Sequence, residues 1–316
     1  MSDPDRIVHF TELSDTIWGA MKTTVVTTML TVAVAATTSD AVMPEAVSAR
    51  TDATTLTGVT LIMGGTGQPT MPFDLVERII SEYTDHLHPG RYTDPVALTT
   101  PEEFSGESYR VGERILADAL ATHRDEDVLV FGVSQSAGIQ GMLLNDGIAG
   151  IDADPDRLAF VALAPPTWPE HGLFEGANHA AMTLLFGSDV TASFPVDADI
   201  PVDVYCGEYD PICDTPTNLG NALATWNAMA ALGTVHAGYV DLTSGDIDAA
   251  VPVDMGGSVQ FWMIPTEHLP MLAGVWGTPL EDVLDPILRP MIDAAYDTPT
   301  HGLEAASAAA DLLSAF

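Results

Sequence analysis

Five short, almost unbroken apolar runs punctuate the chain: Leu56–Met63, Val128–Val133, Leu158–Leu163, Pro201–Cys206 and Ser258–Ile264. Apolar content without strict alternation marks strands covered on both faces, as in a parallel sheet. A weaker strand is expected within Asp94–Pro101. Between the runs, apolar residues return every three or four positions, as at Val111, Ile115, Leu116 and Leu120. That spacing predicts helices over Asp74–Tyr83, Tyr109–Thr122, Ala137–Leu144, Thr217–Leu232, Asp282–Tyr296 and Glu304–Phe316. Strands alternating with helices predict an α/β architecture with a mostly parallel central sheet flanked by helices.

Two stretches fall outside this rhythm. Residues 1–54 have no evident relation to the rest of the chain and are read as an N-terminal extension. Lys22 followed by the apolar run Val25–Ala36 and then small residues also fits a signal-like segment displaced behind the first twenty residues. The second stretch, 165–200, mixes Pro, Gly and Asn with Trp168, Leu173, Phe174, Met182, Leu184, Leu185 and Phe186. It is expected to form a lid or cap, with a small packed excursion as the alternative. The domain proper is expected over 55–316.

Charge narrows the range of partners. The 316 residues carry 45 acidic and 10 basic side chains, a net charge of −35. Such a chain is not drawn by charge to nucleic acid or to anionic lipid. His86 and His88 lie in a Pro/Gly-rich loop without an acidic cluster and read as surface, so no metal or cofactor site is assigned.

Candidate chemistry gathers at the ends of the apolar runs. The run Val128–Val133 breaks into Gly132-Val133-Ser134-Gln135-Ser136 and then a helix-compatible segment. Strand, tight turn and helix form a nucleophile elbow, with the Ser134 hydroxyl presented above the sheet. The usual final glycine of that motif is Ser136 here. The run Leu56–Met63 ends in Gly64-Gly65-Thr66-Gly67, where glycines let the backbone come close to a substrate. The run Pro201–Cys206 opens into a loop in which the chain's two cysteines, Cys206 and Cys213, bracket Asp210. Their separation suits a disulfide closing the loop, the alternative being two free thiols. Serine, acid and histidine follow in the order of the α/β-hydrolases, and the chemistry needs all three types. A hydroxyl is a poor nucleophile until a neutral imidazole takes its proton, and a carboxylate orients that imidazole and stabilises its cation. The backbone amides of Gln135 and Thr66, with Gly65 beside them, are expected to form the oxyanion hole.

These residues resemble the PE-PPE-type serine α/β-hydrolases, which are related to the cutinases. The resemblance covers about 56–295. It is carried by Ile62–Thr70, Leu98–Phe104, Phe131–Ser136, Tyr209-Asp210, Val235-His236 and Ile264–Pro270. Residues 1–54 do not resemble a PE or PPE leader. In the cutinases the acid lies between two disulfide-bonded cysteines, four residues after the first and three before the second, a spacing that Cys206, Asp210 and Cys213 reproduce. Gly65-Thr66 likewise resembles the cutinase oxyanion loop. The resemblance implies hydrolysis of acyl or lipid esters through an acyl-enzyme on Ser134, at a secreted, cell-envelope or virion-associated location. The alternatives are an acyltransferase with the same three residues and a non-catalytic binding or structural protein on this fold. For the base, His268 is expected because it follows the last strand. His236 is the alternative, because His236-Ala-Gly-Tyr239 resembles the cutinase His-x-x-Tyr.

Overall fold

A computed structural model describes residues 58–148, 151 and 153–296. The extension at 1–54 and the helix expected at 304–316 lie outside the described residues.

Seven strands form one sheet in the order β2-β1-β3-β4-β5-β7-β6. They are β1 (Gly58–Met63), β2 (Tyr92–Ala97), β3 (Val128–Val133), β4 (Leu158–Leu163), β5 (Val202–Gly207), β6 (Val251–Val253) and β7 (Gln260–Ile264). Every neighbouring pair is parallel except β6 with β7. Strands β1, β3 and β4 are buried along their whole length, which explains why their sequences are apolar throughout rather than alternating. The main helices are α1 (Phe73–Ile79), α2 (Gly106–Thr122), α3 (Gln135–Asp146), α4 (His179–Phe186), α5 (Ala222–Thr234) and α6 (Pro279–Asp293). The α/β architecture is the expected one.

Boundaries moved where a polar side chain competes for backbone. Helix α2 starts three residues before the apolar periodicity does, because Ser105 caps it by accepting from the Ser108 amide. Helix α5 starts later than expected, because the Asn221 side chain accepts from the amides of Leu223 and Ala224. Strand β6 escaped notice, being only Val-Pro-Val; its Pro252 is tolerable because this is the sheet edge.

The 165–200 segment packs into the main core through Trp168, Phe174, Phe186, Val190 and Phe194, all buried. Leu184 and Leu185 on α4 are its outward-facing aliphatic residues. Most of it therefore corresponds to the packed alternative, and a covering lid is not what the structure displays. Among the described residues no helix is long and apolar enough to cross a membrane.

Candidate active site

The parallel strands end on one side of the sheet, and the candidate residues collect there. Ser134 follows β3 directly and caps α3 with φ 60° and ψ −114°. A non-glycine residue at positive φ is strained and is tolerated where its neighbours fix it. Ser134 N donates to the Leu163 carbonyl at 2.8 Å, holding the turn against the end of β4. Gly132 must lack a side chain: a Cβ there would stand 2.6 Å from Gln140 Nε2 and 2.9 Å from Ser136 Oγ. Ser136 is buried and replaces the usual glycine usefully. Its hydroxyl accepts from Val133 N at 2.9 Å and lies 3.2 Å from the Met63 carbonyl, linking the elbow to the end of β1.

The loop after β1 lies over Ser134. A Cβ on Gly65 would come within 3.2 Å of Ser134 Cβ, so glycine is what lets the backbone approach. Thr66 Oγ1 donates to Gln135 Oε1 at 2.8 Å, and Gln135 Nε2 donates to Ser108 Oγ at 2.7 Å. The Gln135 side chain thus bridges the loop to α2. Its backbone amide opens a helix, where the first N–H groups have no partner within the helix. A second support comes from Glu102, whose carbonyl accepts from Gly67 N at 2.7 Å. Burial pushes the Glu102 carboxyl up to about 7, and the Thr100 hydroxyl donates to it at 2.6 Å.

Asp210 and His236 complete a chain of hydrogen bonds. Asp210 is fully buried in the loop after β5, and Cys206 and Cys213 are joined by a disulfide across that loop. His236 opens a short 3-10 helix, His236–Asp241. Its Nδ1 lies 2.8 Å from Asp210 Oδ2, and its Nε2 lies 3.0 Å from Ser134 Oγ. With the proton on Nδ1, the ring donates to the carboxylate and accepts from the serine hydroxyl. Tyr239, one turn on, donates to Asp210 Oδ2 at 2.8 Å and accepts from Gly207 N at 2.7 Å. Burial raises the Tyr239 phenol well above its ordinary range, keeping its proton in place for that donation. The Tyr83 hydroxyl donates to the Tyr239 carbonyl at 2.6 Å and anchors the 3-10 helix from α1's side.

His268, the histidine expected from its place after the last strand, lies apart from this group. Four residues beyond β7 the chain has turned toward α6, and His268 Nδ1 lies 2.7 Å from Glu281 Oε1. Its ring also leans on Trp276, with centroids 5.6 Å apart. Glu281 in turn accepts from Gly277 N at 2.6 Å, so the pair ties the start of α6 to the loop before it. Two further acids, one in the same loop and one on β5, have separate partners. Asp214 accepts from Tyr209 N at 2.8 Å, and Asp203 accepts from Trp262 Nε1 at 2.9 Å.

Sequence reading missed the clamp behind Asp210. Tyr209 stands at positive φ, and its hydroxyl donates to Asp293 Oδ1 at 2.7 Å. Arg289, paired with Asp285 on α6, also donates to the Thr266 and Glu267 carbonyls. An arginine and two acids on one helix face were the available signal, and they read as ordinary surface charge.

A serine, a histidine and an aspartate hydrogen-bonded in series at the strand ends of a mostly parallel sheet define an α/β-hydrolase arrangement. The chain belongs to the PE-PPE domain family, whose model matches residues 91–297. It is 31% identical to the PPE family protein PPE28 of Mycobacterium tuberculosis over 77% of this chain and 40% of that protein. It is 28% identical to the esterase PE16 of the same organism over 75% of this chain and 48% of that protein. This chain thus spans less than half the length of either relative. Among solved structures it is similar to an acetylxylan esterase, with 13% identity and a TM-score of 0.37, covering 61% of this chain and 98% of that one.

Proposed function

We propose that the chain is a serine carboxylester hydrolase acting on acyl or lipid esters. The observation that carries this reading is the hydrogen-bond series Ser134–His236–Asp210 at 3.0 and 2.8 Å. His236 Nε2 takes the Ser134 proton as Oγ attacks the ester carbonyl, and Asp210 stabilises the imidazolium that forms. The amides of Gln135 and Thr66 are the oxyanion donors, since Gly65 brings that loop against the nucleophile. The alcohol leaves with the proton from His236, giving an acyl-enzyme on Ser134. A water deprotonated by His236 then releases the carboxylic acid. If an alcohol takes the place of that water, the same residues perform acyl transfer.

The relative named an esterase supports ester chemistry, and the disulfide suits an oxidising compartment such as the cell envelope or beyond. The net charge of −35 favours uncharged over anionic substrates. The test is hydrolysis of p-nitrophenyl esters of graded acyl length by the wild type and Ser134→Ala. The substitution is expected to lower kcat by about 10³-fold or more. Equal activity in both would overturn the mechanism, and an inactive wild type across the series would favour a binding protein. Adding an acceptor alcohol and measuring the ester formed separates transfer from hydrolysis.

A further inference from the structure

The two backbone amides proposed as oxyanion donors belong to different elements. Thr66 lies on the loop after β1, and Gln135 opens α3. They can serve one oxygen only if the loop is held in register with the helix, because both donors must lie within hydrogen-bond reach of the same point. Gly64-Gly65-Thr66-Gly67 offers a single side chain for that purpose, so other parts of the chain must do the holding.

The stretch after β2 supplies the hold. Leu98 N donates to the Ile62 carbonyl at 2.8 Å and Thr100 N to the Pro69 carbonyl at 2.9 Å, carrying the pairing of β1 with β2 past the strand ends. Gly67 N donates to the Glu102 carbonyl at 2.7 Å, in a turn closed by Gln68 N on the Gly65 carbonyl. The next residue faces the helix side: Glu103 N donates to Ser108 Oγ at 2.9 Å, the same oxygen that accepts from Gln135 Nε2. With Thr66 Oγ1 donating to Gln135 Oε1, these contacts close a ring through both donor residues, and Glu102 is its junction. There the backbone stands at φ 47°, a strained value for a residue with a side chain. The side chain secures it: Glu102 is buried, and its Oε1 accepts from the Thr100 hydroxyl at 2.6 Å.

We propose that Glu102 is a positioning residue that holds the Thr66 amide in register with the Gln135 amide. The proposal rests on the reading of Ser134 as the nucleophile of an ester hydrolase, and it adds a residue that acts through the loop rather than on substrate. The protonation of Glu102 decides how well it serves. Its Oε2 is buried without a hydrogen-bond partner. Among the described residues no cation pairs with the carboxyl, and the titratable group facing it is Tyr109 on α2, which burial keeps neutral. A bare anionic oxygen in that position is costly, so the proton-bearing carboxyl is the form that fits. Burial accordingly raises the titration of this group to about 7. An unfolded carboxyl ionises at lower pH, so stability declines as pH rises toward about 7. Above that point the ionised group loosens the junction it anchors.

The test compares kcat and KM on a short p-nitrophenyl ester for the wild type, Glu102→Gln and Glu102→Ala, from about pH 6 to about pH 9 and well below each unfolding midpoint. Glutamine keeps a carbonyl for the Thr100 hydroxyl and cannot ionise. Its kcat is expected within about twofold of wild type at the acid end, and its ratio to wild type is expected to rise about threefold or more toward the alkaline end. Glu102→Ala is expected to lose about tenfold or more in kcat across the range with KM little changed, because a displaced donor weakens the transition state and not substrate binding. A Glu102→Ala variant with wild-type kcat would overturn the proposal. So would a Glu102→Gln to wild-type ratio that stays flat with pH, and this variant decides the matter if the alanine one does not fold. Either result in a wild type whose activity is lost in Ser134→Ala removes this inference alone. An inactive wild type, or one whose activity survives Ser134→Ala, overturns the hydrolase reading and this inference with it.

Discussion

Asp210 receives three hydrogen bonds, and they fix both of its oxygens. Ile212 N donates to Oδ1 at 2.9 Å, while His236 Nδ1 and the Tyr239 hydroxyl share Oδ2. A carboxylate buried this deeply needs such donors in place of water, and they also fix its orientation. Tyr239 is thus the residue whose role is most open to a conservative test. Tyr239→Phe removes one hydrogen bond to a charged group, worth about 1.5–3 kcal/mol, and leaves Gly207 N without its acceptor. We expect kcat to fall about tenfold or more with KM little changed, measured on a short p-nitrophenyl ester. An unchanged kcat would show that His236 and the backbone position Asp210 without it. At this scale the sequence was readable for Ser134 and Asp210, because a strand–turn–helix motif and a cysteine frame surround them. It was less readable for the histidine. Nearness to a strand end favoured His268, but reach depends on which way the chain turns after the strand, and periodicity does not carry that. The one local signal for His236 was Tyr239, three residues on.

The elements around the site each hold one participant. Elbow and helix α3 hold Ser134, the glycine loop holds the proposed oxyanion side, and the 3-10 helix 236–241 holds His236, the proposed base. The Asp210 loop leaves the end of β5, and two devices restrain it: the Cys206–Cys213 disulfide and the contact of Tyr209 with α6. Removing the disulfide by Cys206→Ser with Cys213→Ser is expected to cost about 2.5 kcal/mol in the chain-entropy model. The measurement is a urea titration, in which the midpoint falls while the slope stays the same. A midpoint within error of wild type would mean that the Tyr209 contact and the packing of Cys206 already order the loop. Buried strands and long amphipathic helices were legible because burial on both faces, or on one stripe, leaves a strong pattern. The 3-10 helix, the three-residue strand β6 and the inward-facing charges of α6 were not. The first two are too short to show a period. In the third, charged residues turn inward only because particular partners, His268 and the 266–267 backbone, wait there.

Across the whole molecule, the three groups proposed to react lie at positions 134, 210 and 236, after β3, after β5 and after α5, and the sheet order β3-β4-β5 helps bring those segments together. Their assembly therefore reports on the fold as much as on the chemistry. The acidic composition has little part in it: the charge that matters at the site is the buried Asp210, while the exposed carboxylates set solubility and the sign of the surface. Everything proposed for the site turns on His236, and not His268, activating Ser134. The deciding measurement is the rate at which a fluorophosphonate ester labels Ser134, followed by intact mass in the wild type, His236→Ala and His268→Ala. With His236 as the base, labelling slows by about 10³-fold in His236→Ala and stays within about twofold of wild type in His268→Ala. Rapid labelling of His236→Ala together with loss of labelling in His268→Ala would contradict that assignment.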